Sequence, residues 1–117
     1  LFSHVMSGMQ YFRGGKIALI STSLEALRLY NATPDMTEGF IDFPLSVDGV
    51  EIAISILQVG AKSFKVSFRS KGKSDVNRLA GVFGGGGHVL ASGCMLNGYF
   101  EDVVDRLVFN ASNYLED

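Results

Sequence analysis

Between Phe64 and Ser70 the side chains alternate strictly, with Phe64, Val66 and Phe68 on one side and Lys65, Ser67 and Arg69 on the other. A period of two belongs to an extended strand with one oily face and one wet face. Here the wet face is cationic and carries hydroxyls. Ile52, Ile54 and Ile56 alternate in the same way within residues 51–58, and Gly60 with Lys62-Ser63 between the two runs fits a hairpin-like connection. The short apolar run KIALIS, residues 16–21, has strand character too.

Helical spacing fills the intervals. Phe2, Val5, Met6, Met9 and Phe12 predict a helix ended by Gly14-Gly15. Thr22-x-x-Glu25 reads as a capping box opening a helix through Leu24, Leu27 and Leu29, closed by Asn31 and Pro34. Val76, Leu79, Ala80 and Phe83 predict a helix over residues 75–83 with Ser74 or Asp75 as its cap. Val103, Val104, Leu107, Val108, Ala111 and Leu115 predict another over 101–115, with acids in its first turn. Residues 37–49 stay open: Phe40, Phe43 and Val47 suit a helix, but Pro44 disrupts its interior. Helices alternate with strands and no repeat or linker interrupts them. The expected class is α/β, in one domain.

With 117 residues the chain is the size of one domain and can bury a real core. Its 47% hydrophobic and 19% charged content is that of a globular protein. A single cysteine, Cys94, excludes an internal disulfide framework and fits a reducing compartment, so the expected location is cytoplasmic. No apolar run reaches the ~20 residues that span a bilayer, so no membrane partner is expected.

The net charge of −2 is unevenly spread. Lys62, Lys65, Arg69, Lys71, Lys73 and Arg78 crowd into residues 62–78, where Asp75 is the one acid. This cationic stretch leads directly into FGGGGHVLASG, residues 83–93. Four glycines in a row are costly to order and pack nothing, so something is expected to come close to their backbone. A flexible connector is one reading. A Walker-type cradle is another, but no Lys-Ser/Thr follows the glycines. The third is a loop, opening a short helix HVLAS, whose bare amides face an anion. The neighbours favour the third. His88 sits where an imidazole can donate to a phosphate oxygen, Arg69 offers a planar charged fork, Ser67 and Ser70 offer hydroxyls, and Asn77 offers an amide.

Other chemistries fit poorly. His4, His88 and Cys94 have no metal-site spacing, and no dense carboxylate set is present. Cys94 lies in an apolar run and reads as packed rather than reactive. The residues point to anion binding without the machinery to break a bond.

The run KVSFRSKGKSDVNRLAGVFGGGGHVLASGC, from Lys65 to Cys94, closely resembles the signature of the DHHA1 domain. That is the C-terminal, substrate-binding domain of DHH-family phosphoesterases. KIALIS and TEGFIDFPLSVDGVEIAI resemble the corresponding stretches of the oligoribonuclease/pAp-phosphatase (nanoRNase) branch. The resemblance implies a single compact domain with a mixed β-sheet flanked by helices, occupying residues 15–117. Residues 1–14 would be the tail of a helix arriving from an N-terminal DHH domain. That domain would be this chain's partner and would hold the divalent metal, manganese or magnesium, that activates a water. No cofactor is expected on the chain itself, and homo-oligomerisation is left open. By the same resemblance Arg69 and Ser70 match a substrate-contacting pair, and Gly84, Gly85, Gly86 and Gly87 match a phosphate-facing loop. His88 matches a histidine that assists at the scissile phosphate. Asp75 and Asn77 match a D-x-N whose first role is helix capping, and Ala91-Ser92-Gly93 matches a segment that packs the loop. The Asp-His-His motif that names the family is absent from this sequence. The expected function is therefore binding of a nucleotide or short oligonucleotide on behalf of a hydrolytic domain, with no turnover by this chain. The alternative is a non-catalytic nucleic-acid module.

Overall fold

The alternation at Phe64–Phe68 is realised as a strand whose apolar side is sealed: Phe64, Val66 and Phe68 are all buried, while Lys65 is exposed and Ser67 and Arg69 are half-buried. In the computed structural model, which describes residues 1–115, the chain runs α1 (Phe2–Ser7), β1 (Gln10–Phe12), β2 (Ile17–Thr22) and α2 (Leu24–Leu29). A 3-10 turn (Pro34–Thr37) and α3 (Asp42–Ser46) follow, then β3 (Ile52–Gly60), β4 (Ser63–Ser70), α4 (Val76–Val82), β5 (Gly86–Gly87), β6 (Ala91–Asn97) and α5 (Phe100–Ser112). The six strands form one mixed sheet in the order β1-β2-β3-β4-β6-β5. Only β2 and β3 pair in parallel, and the segment between them supplies the crossover.

Each sheet face is covered differently. On one face Ile17, Leu19, Ile52, Ile54, Ile56, Phe64, Val66 and Phe68 meet Val76, Leu79 and Ala80 of α4 and Val103, Leu107 and Ala111 of α5 in one continuous core. The other face is roofed by α1, α2 and α3 over β2 and β3, where Val5, Ala26, Leu27 and Ile41 are buried. Over β4 that roof stops. The cationic side of β4 is therefore left as the floor of an opening.

Three local expectations are corrected. The first helix does not run to Phe12. It ends at Ser7, Gly8 closes it, and Gln10–Phe12 becomes an edge strand antiparallel to β2. The spacing of Met9 and Phe12 favours a helix locally, since a strand puts them on opposite faces, and the non-local ladder with β2 overrides it. The turn that follows needs left-handed backbone, at Arg13 (φ 55°), Gly14 (φ 66°) and Gly15 (φ 85°). The cap of α2 is Ser23, whose Oγ accepts from the Ala26 amide at 3.0 Å, not Thr22, which stays in β2 and is buried. HVLAS is not a helix. His88 and Ala91 exchange backbone hydrogen bonds (2.7 and 3.2 Å) around a tight turn, and Ala91 begins β6. Pro44, finally, sits in the first turn of α3, where its missing N–H has no intrahelical partner to lose.

Candidate functional site

The opening over β4 is a cleft of about 730 Å³. Its floor is Ser55 and Leu57 of β3 beside Lys65, Ser67 and Arg69 of β4. Strand register makes that grouping unavoidable: Ser55 pairs with Ser67 and Leu57 with Lys65, so each pair points to one face. One wall is the segment from Pro34 through Gly39 to Ile41, and the other includes Gly86 and Gly87. Arg69 Nη1 lies 3.5 Å from Asp42 Oδ1 on α3, the one ion pair among the described residues, with the two side chains 43% and 67% exposed.

The sequence-derived site residues fall into two groups. Arg69, Ser67, Gly86 and Gly87 converge on the cleft. The others stand elsewhere. Ser70 is buried, and its Oγ accepts from the amides of Gly72 (3.1 Å) and Ser74 (3.3 Å), which organises the turn into α4. Asn77 spends its Oδ1 on the Gly87 amide at 3.0 Å, so it anchors the hairpin to the start of α4. Asp75 caps α4 by accepting from the Arg78 amide at 3.1 Å. His88 is exposed at the hairpin turn and is not part of the cleft lining.

The glycine run does not present a row of free amides. Gly84 N–H donates to Gly81 O, Gly85 N–H to Ala80 O, Gly87 N–H to Asn77 Oδ1 and His88 N–H to Ala91 O. What approaches the bare backbone is the chain itself. A Cβ on Gly85 would overlap the Gly93 carbonyl oxygen and come within 2.7 Å of Cys94 Cβ. One on Gly87, at φ 151°, would meet Ala91 O at 2.7 Å, and one on Gly93 would meet Val66 O at 2.8 Å. Gly86 differs: its nearest neighbour would be Asn77 Oδ1 at 3.6 Å, an ordinary contact. The glycines let a two-residue strand lie flush on β6 and so bring Gly86 and Gly87 to the cleft edge.

Sequence reasoning left out part of the site. The alternation of β4 puts Lys65 on the cationic face and that of β3 puts Ser55 and Leu57 opposite its isoleucines, and the structure adds all three to the site. The wall with Asp35 and Glu38, and Asp42 beyond it, had no local signal. Burial pushes the Cys94 thiol from 9.0 up to about 11, against a smaller opposing pull from Arg106, which keeps it protonated and unreactive at neutral pH. Among the described residues no group of three or more His, Cys, Asp or Glu side chains is placed to hold a metal ion. Among them, too, no helix is long and apolar enough to cross a membrane.

The DHHA1 domain family matches residues 21–117. No curated protein matches the sequence. Among solved structures, an exopolyphosphatase-related protein from Bacteroides fragilis superposes with a TM-score of 0.88 at 32% identity, over 97% of this chain and 33% of its own. A pGpG-specific phosphodiesterase from Vibrio cholerae gives 0.66 at 14% identity, over 97% and 38%. An uncharacterised protein from Helicobacter pylori G27 gives 0.53 at 20% identity, over 92% and 29%. The chain thus spans about a third of the length of the solved proteins it matches.

Proposed function

This chain belongs to the DHHA1 domain family, and we propose from that premise that it is the substrate-gripping part of a DHH-family phosphoesterase. Its cleft would hold the phosphate of a short oligoribonucleotide or a pAp-like nucleotide. The observation that carries this reading is the convergence of Arg69, Ser67 and Lys65 with the Gly86-Gly87 edge on one cleft. A guanidinium offers a planar fork of donors that matches phosphate oxygens. Ser67 adds a hydroxyl donor and Lys65 a mobile ammonium, while the bare Gly86-Gly87 edge gives the ligand room. His88, on the turn beside that edge, would reach the scissile phosphate from outside the cleft. The phosphodiesterase neighbour supports a nucleotide-hydrolysing context. Manganese or magnesium would be held by an N-terminal DHH domain and would supply the activated water there. The chain's own residues bind and orient.

A non-catalytic single-strand binder would need aromatic platforms among the cations. Phe64 and Phe68 are buried on the opposite face of β4 from Lys65 and Arg69, which weighs against it. A salt titration separates the readings. The cleft reading expects saturation by a mononucleotide, a shallow salt slope, and no turnover of pAp or a dinucleotide by this chain with manganese. A steep slope with long single strands, and no mononucleotide binding, would contradict it.

A further inference from the structure

The charges around the cleft are not those of a simple anion trap. Lys65 and Arg69 supply the cations of the lining, but Asp35 and Glu38 stand on the wall and Asp42 reaches Arg69 from α3. The lining thus carries two charges of each sign, with Asp42 a third acid just beyond it. The helix that carries Asp42 is also tied down apart from the ion pair: Lys71, the residue after β4, donates from its Nζ to the Val47 carbonyl at the end of α3 at 2.9 Å. A ligand that takes the Arg69 guanidinium therefore leaves the Asp42 carboxylate close by and without its partner.

We propose that Asp42 tunes the charge selectivity of the cleft: attraction to Lys65 and Arg69 grows with ligand charge, and Asp42 trims that advantage, shifting the balance from the double charge of a terminal phosphate toward the single charge of a phosphodiester at Arg69. The inference rests on the phosphate reading of the cleft given above. Displacing Asp42 from Arg69 costs the same for either ligand. The repulsion that follows does not, because it scales with ligand charge and is twice as large for a dianion. The pair is partly exposed, so water weakens each increment to about threefold in affinity per ligand charge. Asp35 and Glu38, on the wall that leads into α3, add to it. The substrate class that Asp42 favours is an internal linkage of a short oligonucleotide, where each phosphate carries one charge. A terminal phosphomonoester, with nearly two charges at neutral pH, loses more to it.

The test compares adenosine 5′-monophosphate with its phosphate O-methyl ester, by calorimetry at low salt and slightly alkaline pH. The ratio of the two affinities in the unaltered chain is the reference. Asp42→Asn removes the shared cost of displacement and tightens both, the monophosphate about threefold more than the ester, so their ratio moves about threefold. Asp42→Glu keeps the original ratio, which a loss of packing alone would not do. Glu38→Gln, at an exposed position, shifts the ratio in the same direction by a smaller factor and serves if Asp42→Asn folds poorly. An unchanged ratio in both neutralising variants, or a shift toward the ester, would overturn the proposal and leave phosphate binding intact. Failure of both ligands to bind the unaltered chain would remove the phosphate reading and this inference with it.

Discussion

Gly85→Val lowers the melting temperature of the domain by about 10 °C or more, while Gly86→Val leaves it almost unchanged. The two positions are adjacent in one glycine run, and their chemistry is identical. Their surroundings are not. A side chain at Gly85 collides with backbone, the Gly93 carbonyl of β6, and with Cys94, which is itself buried. Backbone in a strand cannot step aside as the end of a flexible side chain can. Overpacking ordinarily costs about 1–3 kcal/mol, and a clash against a hydrogen-bonded strand belongs at the top of that range. Out of a total stability of roughly 5–15 kcal/mol the loss is large. Gly86 has an ordinary backbone and only Asn77 Oδ1 nearby, so valine fits there on the exposed edge of β5. What Gly86→Val changes is the cleft edge, and its expected effect is weaker mononucleotide binding with the fold intact. Thermal unfolding of both variants, followed by circular dichroism, checks the contrast. Equal melting temperatures would mean that the hairpin does not lie flush on β6.

Arg69→Ala reduces mononucleotide affinity by about tenfold. A hydrogen bond to a charged group contributes about 1.5–3 kcal/mol. Arg69 is 43% exposed and already shares its guanidinium with Asp42, which places it at the low end, and about 1.5 kcal/mol is about a factor of ten. Stability should barely move, because truncating Arg69 leaves no buried charge unpaired and the ion pair it loses is exposed. Calorimetric titration gives the affinity and a melting curve gives the control. Unaltered affinity in a well-folded Arg69→Ala protein would show that the phosphate sits elsewhere.

Much of the fold is written in local periodicity. The alternation of β3 and β4, the apolar stripe of α4 and the acidic start of α5 each follow from the residues alone, because each buries one face against the same core. The glycine run was legible in a different sense. It says that a backbone must come close, but the identity of the approaching atoms, Gly93 O and Ala91 O, depends on a strand paired after the run. His88 followed four glycines and so pointed to the anion; the hairpin turn instead holds it outside the cleft lining. The wall at residues 34–42 was not legible. Its 3-10 turn and five-residue α3 have little intrinsic helical stability, and Ile41 fixes them by packing on the sheet. Asp35, Glu38 and Asp42 therefore entered the site unannounced, as did β1, whose conformation is set by the neighbouring strand.

The claim on which the account depends is that the phosphate of a nucleotide is held between β4 and the Gly86-Gly87 edge. Titrating adenosine 5′-monophosphate into the 15N-labelled chain and following its amide resonances tests this most directly. The account expects saturable shifts concentrated at Ser67, Arg69, Gly86 and Gly87. Shifts gathered instead around a separate cavity lined by Lys62, Phe64, Tyr99 and Phe100, or spread evenly over the surface without saturating, would contradict it.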